Sequence, residues 1–122
     1  MASEQTEIWH NPQCSKSRAA KAVLDAAGGD YVERRYLDNP PTAAEIRAVL
    51  AKLGLEPWDI TRTAEAQAKE LGVSSWGRTP ADRDRWITAL AEHPRLIQRP
   101  IVLTADGRAV VARDEDSLTT LL

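Results

Sequence analysis

The sequence predicts an α/β protein built on a mixed β-sheet. Three observations lead there: a strand, helix, strand succession between residues 7 and 36, a hairpin pattern around Asp106-Gly107, and a run of broken helical periodicity between the two. The chain has 122 residues, 43% apolar and 28% charged, which suffices for one domain with a modest core and is too little for two independent ones. The expectation is a single domain over residues 1–122 with a helical insert at about 55–98.

Glu7-Ile8-Trp9 reads as a short strand, and Pro12 interrupts any ladder or helix that would continue it. From Ser15 onward Ala20, Val23, Leu24 and Ala27 fall on one helical face, with Gly28-Gly29 closing the C-terminal end. Cys14 therefore stands at the N-terminus of this helix. Tyr31 to Tyr36 suits a second strand, and a strand, helix, strand order at this spacing favours a parallel, right-handed crossover.

After Asn39-Pro40-Pro41, the run Thr42-Ala43-Ala44-Glu45 has the spacing of a capping box. Ile46, Val49, Leu50 and Leu53 then form one stripe, stopped by Gly54. Within the insert, a helix from Thr63 to Leu71 ends at Gly72, and Thr79-Pro80 opens another that carries Trp86, Ile87 and Leu90 and ends at His93-Pro94. Trp58, Trp76 and Trp86 are expected to pack the insert, and His93 to cap a helix end. Ile101–Thr104 and Arg108–Ala112 flank Ala105-Asp106-Gly107, a hairpin signal because Asp-Gly tolerates the positive φ that tight turns need. A short helix around Asp116–Leu122 closes the chain.

The resulting order, β-α-β, helix, helical insert, β-β-α, suits a thioredoxin-like mixed sheet with an inserted helical subdomain. Another α/β sandwich with an antiparallel edge hairpin would give the same string. A net charge of −2 supplies no footprint for a phosphate backbone, so nucleic acid is not expected as a partner. The apolar stretches are too short for a membrane span, and the polar start Met1–Thr6 does not read as a signal peptide, so the expected location is the cytoplasm and the expected state a monomer. One cysteine and two histidines allow neither an internal disulfide nor a four-ligand zinc site, so any thiol chemistry at Cys14 draws its second thiol from outside. The twelve arginines against four lysines hint at forked recognition of oxyanions.

A free cysteine ionises near ~8.5, and a useful nucleophile needs that value lowered by positive charge or dipole. Cys14 heads a helix whose unpaired N–H groups favour an anion, and Lys16, Arg18 and His10 stand within a few residues. Ser17 can donate its hydroxyl back across the first turn. A depression of about two units needs roughly 2.7 kcal/mol of preferential thiolate stabilisation, within reach of a helix terminus plus one or two charges. An inert cysteine would sit on an apolar stripe, whereas Gln13, Ser15, Lys16, Ser17 and Arg18 surround this one with polar groups.

The run His10-Asn11-Pro12-Gln13-Cys14-Ser15-Lys16-Ser17-Arg18, together with Gln98-Arg99-Pro100-Ile101-Val102 about eighty residues later, resembles the arsenate reductase family of the thioredoxin-like, glutaredoxin-coupled type. The similarity runs from Ile8 to the C-terminal helix, and Cys-Ser-Lys-Ser-Arg places the chain nearest a short branch of that family. The resemblance implies the thioredoxin-like fold, with Pro100 as the cis-proline opposite the cysteine loop. It implies Cys14 as the nucleophile toward arsenic(V), supported by His10 and Ser17, and an oxyanion site of Arg99, Arg62 and Arg113, with Arg18 adjoining. It further implies glutathione or a similar small thiol as co-substrate, glutaredoxin as partner, release of arsenite, and no bound cofactor or metal.

An arsenate dianion meeting a thiolate concentrates about three negative charges, so the attack needs comparable positive charge in a partly dehydrated cleft. Two other readings use the same fold. Redox-sensing regulators that bind RNA polymerase carry a Cys-x-x-Cys pair, but Ser17 occupies the second position here; a binding-only role is the residual form of that reading. A monothiol glutaredoxin-like transferase needs only the one thiol. The phosphatase-type reductase loop, Cys-x5-Arg, does not match the Cys-x3-Arg formed by Cys14 and Arg18.

Overall fold

The computed structural model describes residues 5–121. It divides into two compact units, one formed by the chain up to Asn39 together with the segment from Arg99 onward, the other by Pro40–Gln98.

In the first unit, strands β1 (Thr6–Trp9), β2 (Tyr31–Arg34), β3 (Ile101–Leu103) and β4 (Ala109–Val111) form one sheet in the order β2-β1-β3-β4. β1 runs parallel to β2, with Ile8 opposite Glu33 and Trp9 opposite Arg34. β1 pairs antiparallel with β3, and β3 with β4, so the sheet is mixed as expected. Helix α1 (Ser15–Ala26) connects the parallel pair. β2 stops at Arg34, two residues short of the expected Tyr36, because the Arg35 carbonyl closes a turn with the N–H groups of Asp38 and Asn39 at 3.0 and 2.9 Å. Gly107 takes φ 89° in the β3–β4 hairpin, the positive value the Asp-Gly signal calls for.

Ile8, Ala20, Leu24, Val102 and Ala112 form the core of this unit, with Tyr31, Val110, Leu118 and Leu121 packed around it. Each buried Ile, Leu or Val side chain contributes about 1.5–3 kcal/mol. The last helix, α5, spans Glu115–Thr119; its Asp114 cap accepts the Ser117 N–H at 2.8 Å. The terminal Leu122 of the expected 116–122 helix lies outside the described residues.

The second unit is helical: α2 (Ala43–Leu53), α3 (Ala66–Leu71) and α4 (Arg83–Glu92), linked by short 3-10 turns. It opens at Pro40, earlier than the insert boundary near 55, because α2 packs on α4. Ile46, Val49 and Leu50 of α2 and Trp86, Ile87 and Leu90 of α4 are all buried. The capping box is present: Thr42 Oγ1 accepts the Glu45 N–H at 3.1 Å, and Glu45 Oε1 accepts the Thr42 N–H at 2.9 Å. Gly54 ends the helix at φ 68°, its N–H on the Leu50 carbonyl at 2.9 Å. Helix α3 begins three residues after the expected Thr63, with Glu65 as its N-cap.

The tryptophans pack the insert. Trp86 meets Trp58 and Trp76 edge-on at centroid distances of 6.1 and 5.3 Å, and its indole N–H reaches the Gly77 carbonyl at 2.8 Å. His93 is the C-cap of α4.

Candidate active site

Pro12 and the Asn11 side chain shape the loop between β1 and α1. Asn11 Oδ1 accepts the Gln13 N–H at 3.0 Å, its carbonyl accepts the Cys14 N–H at 3.0 Å, and the turn delivers Cys14 to the N-cap of α1. Cys14 has extended backbone angles and no full side-chain cap hydrogen bond, with its sulfur set at the N-terminal end of α1. Cys14 is buried, with 9% of the residue exposed.

Burial pushes the Cys14 thiol up, yet the opposing contacts prevail and hold it below the ordinary thiol value. In decreasing order these are the backbone N–H of Ser17, the Arg99 side chain, the backbone N–H of Lys16, and the Arg99 charge. The helix terminus therefore acts through two identified amides, and one guanidinium reinforces it.

Arg99 stands immediately before the cis peptide bond to Pro100. The Trp9–Ile101 register brings the start of β3 alongside the end of β1, where the cysteine loop leaves the sheet. Arg99 Nε is buried without a hydrogen-bond partner, an orphan donor on the residue that contacts Cys14. Arg113, after β4, donates through Nη1 to the Arg99 carbonyl at 2.6 Å.

His10 and Ser17 are both buried, with His10 Nδ1 2.7 Å from Ser17 Oγ. Ser17 Oγ also accepts the Asn11 N–H at 2.9 Å. The expected hydroxyl contact across the first turn is thus replaced by a different arrangement: the hydroxyl serves His10 and Asn11, and the Ser17 backbone N–H faces the sulfur. Burial lowers the His10 imidazole, opposed by Glu33 and aided by Lys21, Arg35 and Arg18.

Arg18 is exposed and donates to the Pro12 carbonyl at 3.1 Å, so its guanidinium braces the loop. Arg62 lies in the second unit, where its N–H bonds the Leu96 carbonyl at 2.7 Å and its Nη1 reaches Glu65 at 2.8 Å and the Arg95 carbonyl at 3.4 Å. Asn11 has a structural part in the loop that the sequence reading passed over; an Asn one residue before a Pro is the signal for it. No group of three or more His, Cys, Asp or Glu among the described residues is arranged to hold a metal ion. Among them, too, no helix is long and apolar enough to cross a membrane.

A mixed sheet, a cysteine at the N-terminus of the helix after the first strand, and a cis-proline at the start of the third strand define a thioredoxin-like protein with one thiol at its centre. The sequence model of the ArsC family matches residues 9–121. The chain belongs to that family. It is 39% identical over 119 residues to a Neisseria meningitidis protein named arsenate reductase, covering 97% of this chain and 98% of the relative. A Streptomyces viridochromogenes protein described only as lying in the glnII region is 60% identical over 116 residues, or 95% and 98% of the two chains. The structure of an arsenate reductase from Vibrio cholerae superposes with a TM-score of 0.86 at 34% identity, covering 97% and 98%.

Proposed function

We propose that this chain reduces arsenate to arsenite with Cys14 as the nucleophile and an external thiol as the electron source. The observation that carries the reading is the Arg99 guanidinium, which helps hold the Cys14 thiol below its ordinary value and keeps a buried, unpartnered Nε. A cation beside the sulfur favours the thiolate, and its spare donor suits an arsenate oxygen brought to that sulfur. The named arsenate reductases among the relatives agree with the substrate.

The Cys14 thiolate attacks arsenic(V), forming a sulfur–arsenic bond while one arsenate oxygen leaves as water after protonation. Glutathione then attacks the Cys14 sulfur. The sulfur–arsenic electron pair stays on arsenic, which leaves as arsenite, and Cys14 is left in a mixed disulfide with glutathione. Glutaredoxin returns Cys14 to the thiol by thiol–disulfide exchange. The two electrons that reduce arsenic thus come from two sulfurs, one of them external because Cys14 is the sole cysteine. Such a cycle suits a reducing compartment, the cytoplasm.

Arg99 is the principal oxyanion contact and Arg113 orients it through its carbonyl, with Arg18 holding the loop. His10 and Ser17 fix the first turn of α1 so that its amides face the sulfur.

The test is arsenate-dependent NADPH oxidation with glutathione, glutathione reductase and glutaredoxin, omitting each in turn. Turnover that requires every component and vanishes in Cys14→Ser is expected. Activity retained in that variant, or rapid reduction of glutathione mixed disulfides with none of arsenate, would overturn the assignment.

A further inference from the structure

One helical turn beyond the His10–Ser17 contact, a second polar rung joins the sheet to α1. Ile8 lies opposite Glu33 in the parallel pair, so both side chains leave the same face of the sheet. His10, two residues beyond Ile8, continues that face, its N–H extending the ladder to the Arg34 carbonyl at 2.8 Å. On the helix, Ser17 meets His10 at 2.7 Å, and Lys21, four residues on, meets Glu33 Oε1 at 3.1 Å. The other Glu33 oxygen accepts from Arg35 Nε at 2.8 Å. Lys21 also donates to the Tyr31 hydroxyl at 2.6 Å, which in turn donates to Asp25 Oδ1 at 2.6 Å.

We propose that Glu33, clamped between Lys21 and Arg35, is a positioning residue for the cysteine site that acts through His10, the clamp setting how strongly the carboxylate bears on the imidazole that meets Ser17. The catalytic consequence rests on the reading of Cys14 as the reacting thiol; the electrostatic link to His10 does not.

A bare carboxylate on this face would favour the imidazolium, whereas one already held by two cations favours it less. The charges that act on His10 are Glu33 and Arg35 from the β2 side and Lys21 and Arg18 from α1, with Cys14 at the N-cap of that helix. β3, on the other side of β1, brings only Ile101, Val102 and Leu103. Contact with Arg35, opposed by burial and joined by Lys21, holds the Glu33 carboxyl below the usual range, so it stays an anion near neutrality.

The protonation state of His10 changes the hydrogen bonds beside the sulfur. A neutral ring accepts the Ser17 hydroxyl hydrogen at Nδ1 while Ser17 Oγ takes the Asn11 N–H. A charged ring donates from Nδ1 to the same oxygen, and the hydroxyl hydrogen must turn elsewhere. Ser17 is also the residue whose backbone N–H does most to favour the Cys14 thiolate, so its setting is felt at the sulfur.

The experiment is an NMR titration of the His10 ring in the full chain, assigned with His93→Gln, for the wild type, Glu33→Gln and Lys21→Met. The midpoint should fall in Glu33→Gln, which loses the carboxylate that favours the imidazolium. It should rise in Lys21→Met, which unmasks that group, and Lys21→Arg should restore it. Shifts of Glu33→Gln and Lys21→Met in the same direction, or none, overturn the proposal; should Glu33→Gln fail to fold, Arg35→Gln replaces it, where a rise like that of Lys21→Met is expected and an unmoved or lowered midpoint overturns the proposal. The pH profile of Cys14 alkylation should extend to lower pH in Lys21→Met, and an unmoved profile removes the positioning role. Absence of arsenate turnover with both shifts intact counts against the reductase reading alone.

Discussion

Arg113 donates through Nη1 to the carbonyl oxygen of Arg99 at 2.6 Å, so the arginine that contacts Cys14 is held by a second arginine from the far side of the β3–β4 hairpin. One guanidinium faces the thiol and the other fixes the backbone from which the first projects. The two arginines therefore differ in role although both flank the same short sheet.

Their substitutions should separate accordingly. Arg99→Met removes a charge-assisted contact worth about 1.5–3 kcal/mol, so it should weaken arsenate binding by roughly tenfold or more and slow Cys14 alkylation at neutral pH. Arg113→Met should raise KM for arsenate and leave alkylation near the wild-type rate. Arg95→Ala, at an exposed residue of the helical unit, should do neither. Steady-state kinetics and alkylation rates on the three variants check this, and equal losses would mean that general charge alone is at work.

His10 gives the fold an acid sensitivity whose sign follows from its burial. The folded imidazole is lowered below the ordinary value of about 6.5, so the unfolded chain takes up the proton first as pH falls. Stability from this group is intact above about 6.5 and is lost on descent toward the folded value. Urea unfolding at pH 7.5 and 5.5 should show a larger loss in the wild type than in His10→Gln; identical losses would contradict the assignment.

Much of this arrangement was legible in the sequence, for local reasons. Thr42-Ala-Ala-Glu45, Gly54 and Asp106-Gly107 act through their own backbone neighbours, and each produced the cap or turn it signals. Cys14 at the head of α1 followed from Pro12 and the apolar stripe of the helix, and the cis bond before Pro100 from the family resemblance. The Ser17 hydroxyl partner was not legible, because it depends on His10, seven residues away on the strand side of the loop. Nor was the Lys21–Glu33 pair legible, since the register that sets Glu33 beside Ile8 is a tertiary fact. The start of the helical unit at Pro40 likewise depends on α2 packing against α4.

The α2 cap has a measurable weight. Thr42→Ala leaves the Glu45 N–H without its side-chain acceptor and should destabilise the protein by about 1 kcal/mol. Chemical denaturation reads this as a lower midpoint at unchanged m-value, and an unmoved midpoint would show that the box contributes nothing.

Trp86 anchors the helical unit. Trp86→Ala opens a large buried space between Trp58 and Trp76 and should cost about 3–5 kcal/mol. Trp86→Phe keeps most of the apolar volume but loses the donor to Gly77, and should cost less. Thermal unfolding of the pair orders the two losses, and a reversed order would contradict the packing role.

The proposed chemistry depends on the ionisation of one sulfur beside one guanidinium. The most direct measurement is the pH dependence of iodoacetamide alkylation at Cys14, taken with and without arsenate. A midpoint below the ordinary thiol value of about 8.5, moved upward by Arg99→Met, with arsenate slowing modification, is the predicted result. A midpoint at the ordinary value, indifferent to Arg99 and to arsenate, would contradict it.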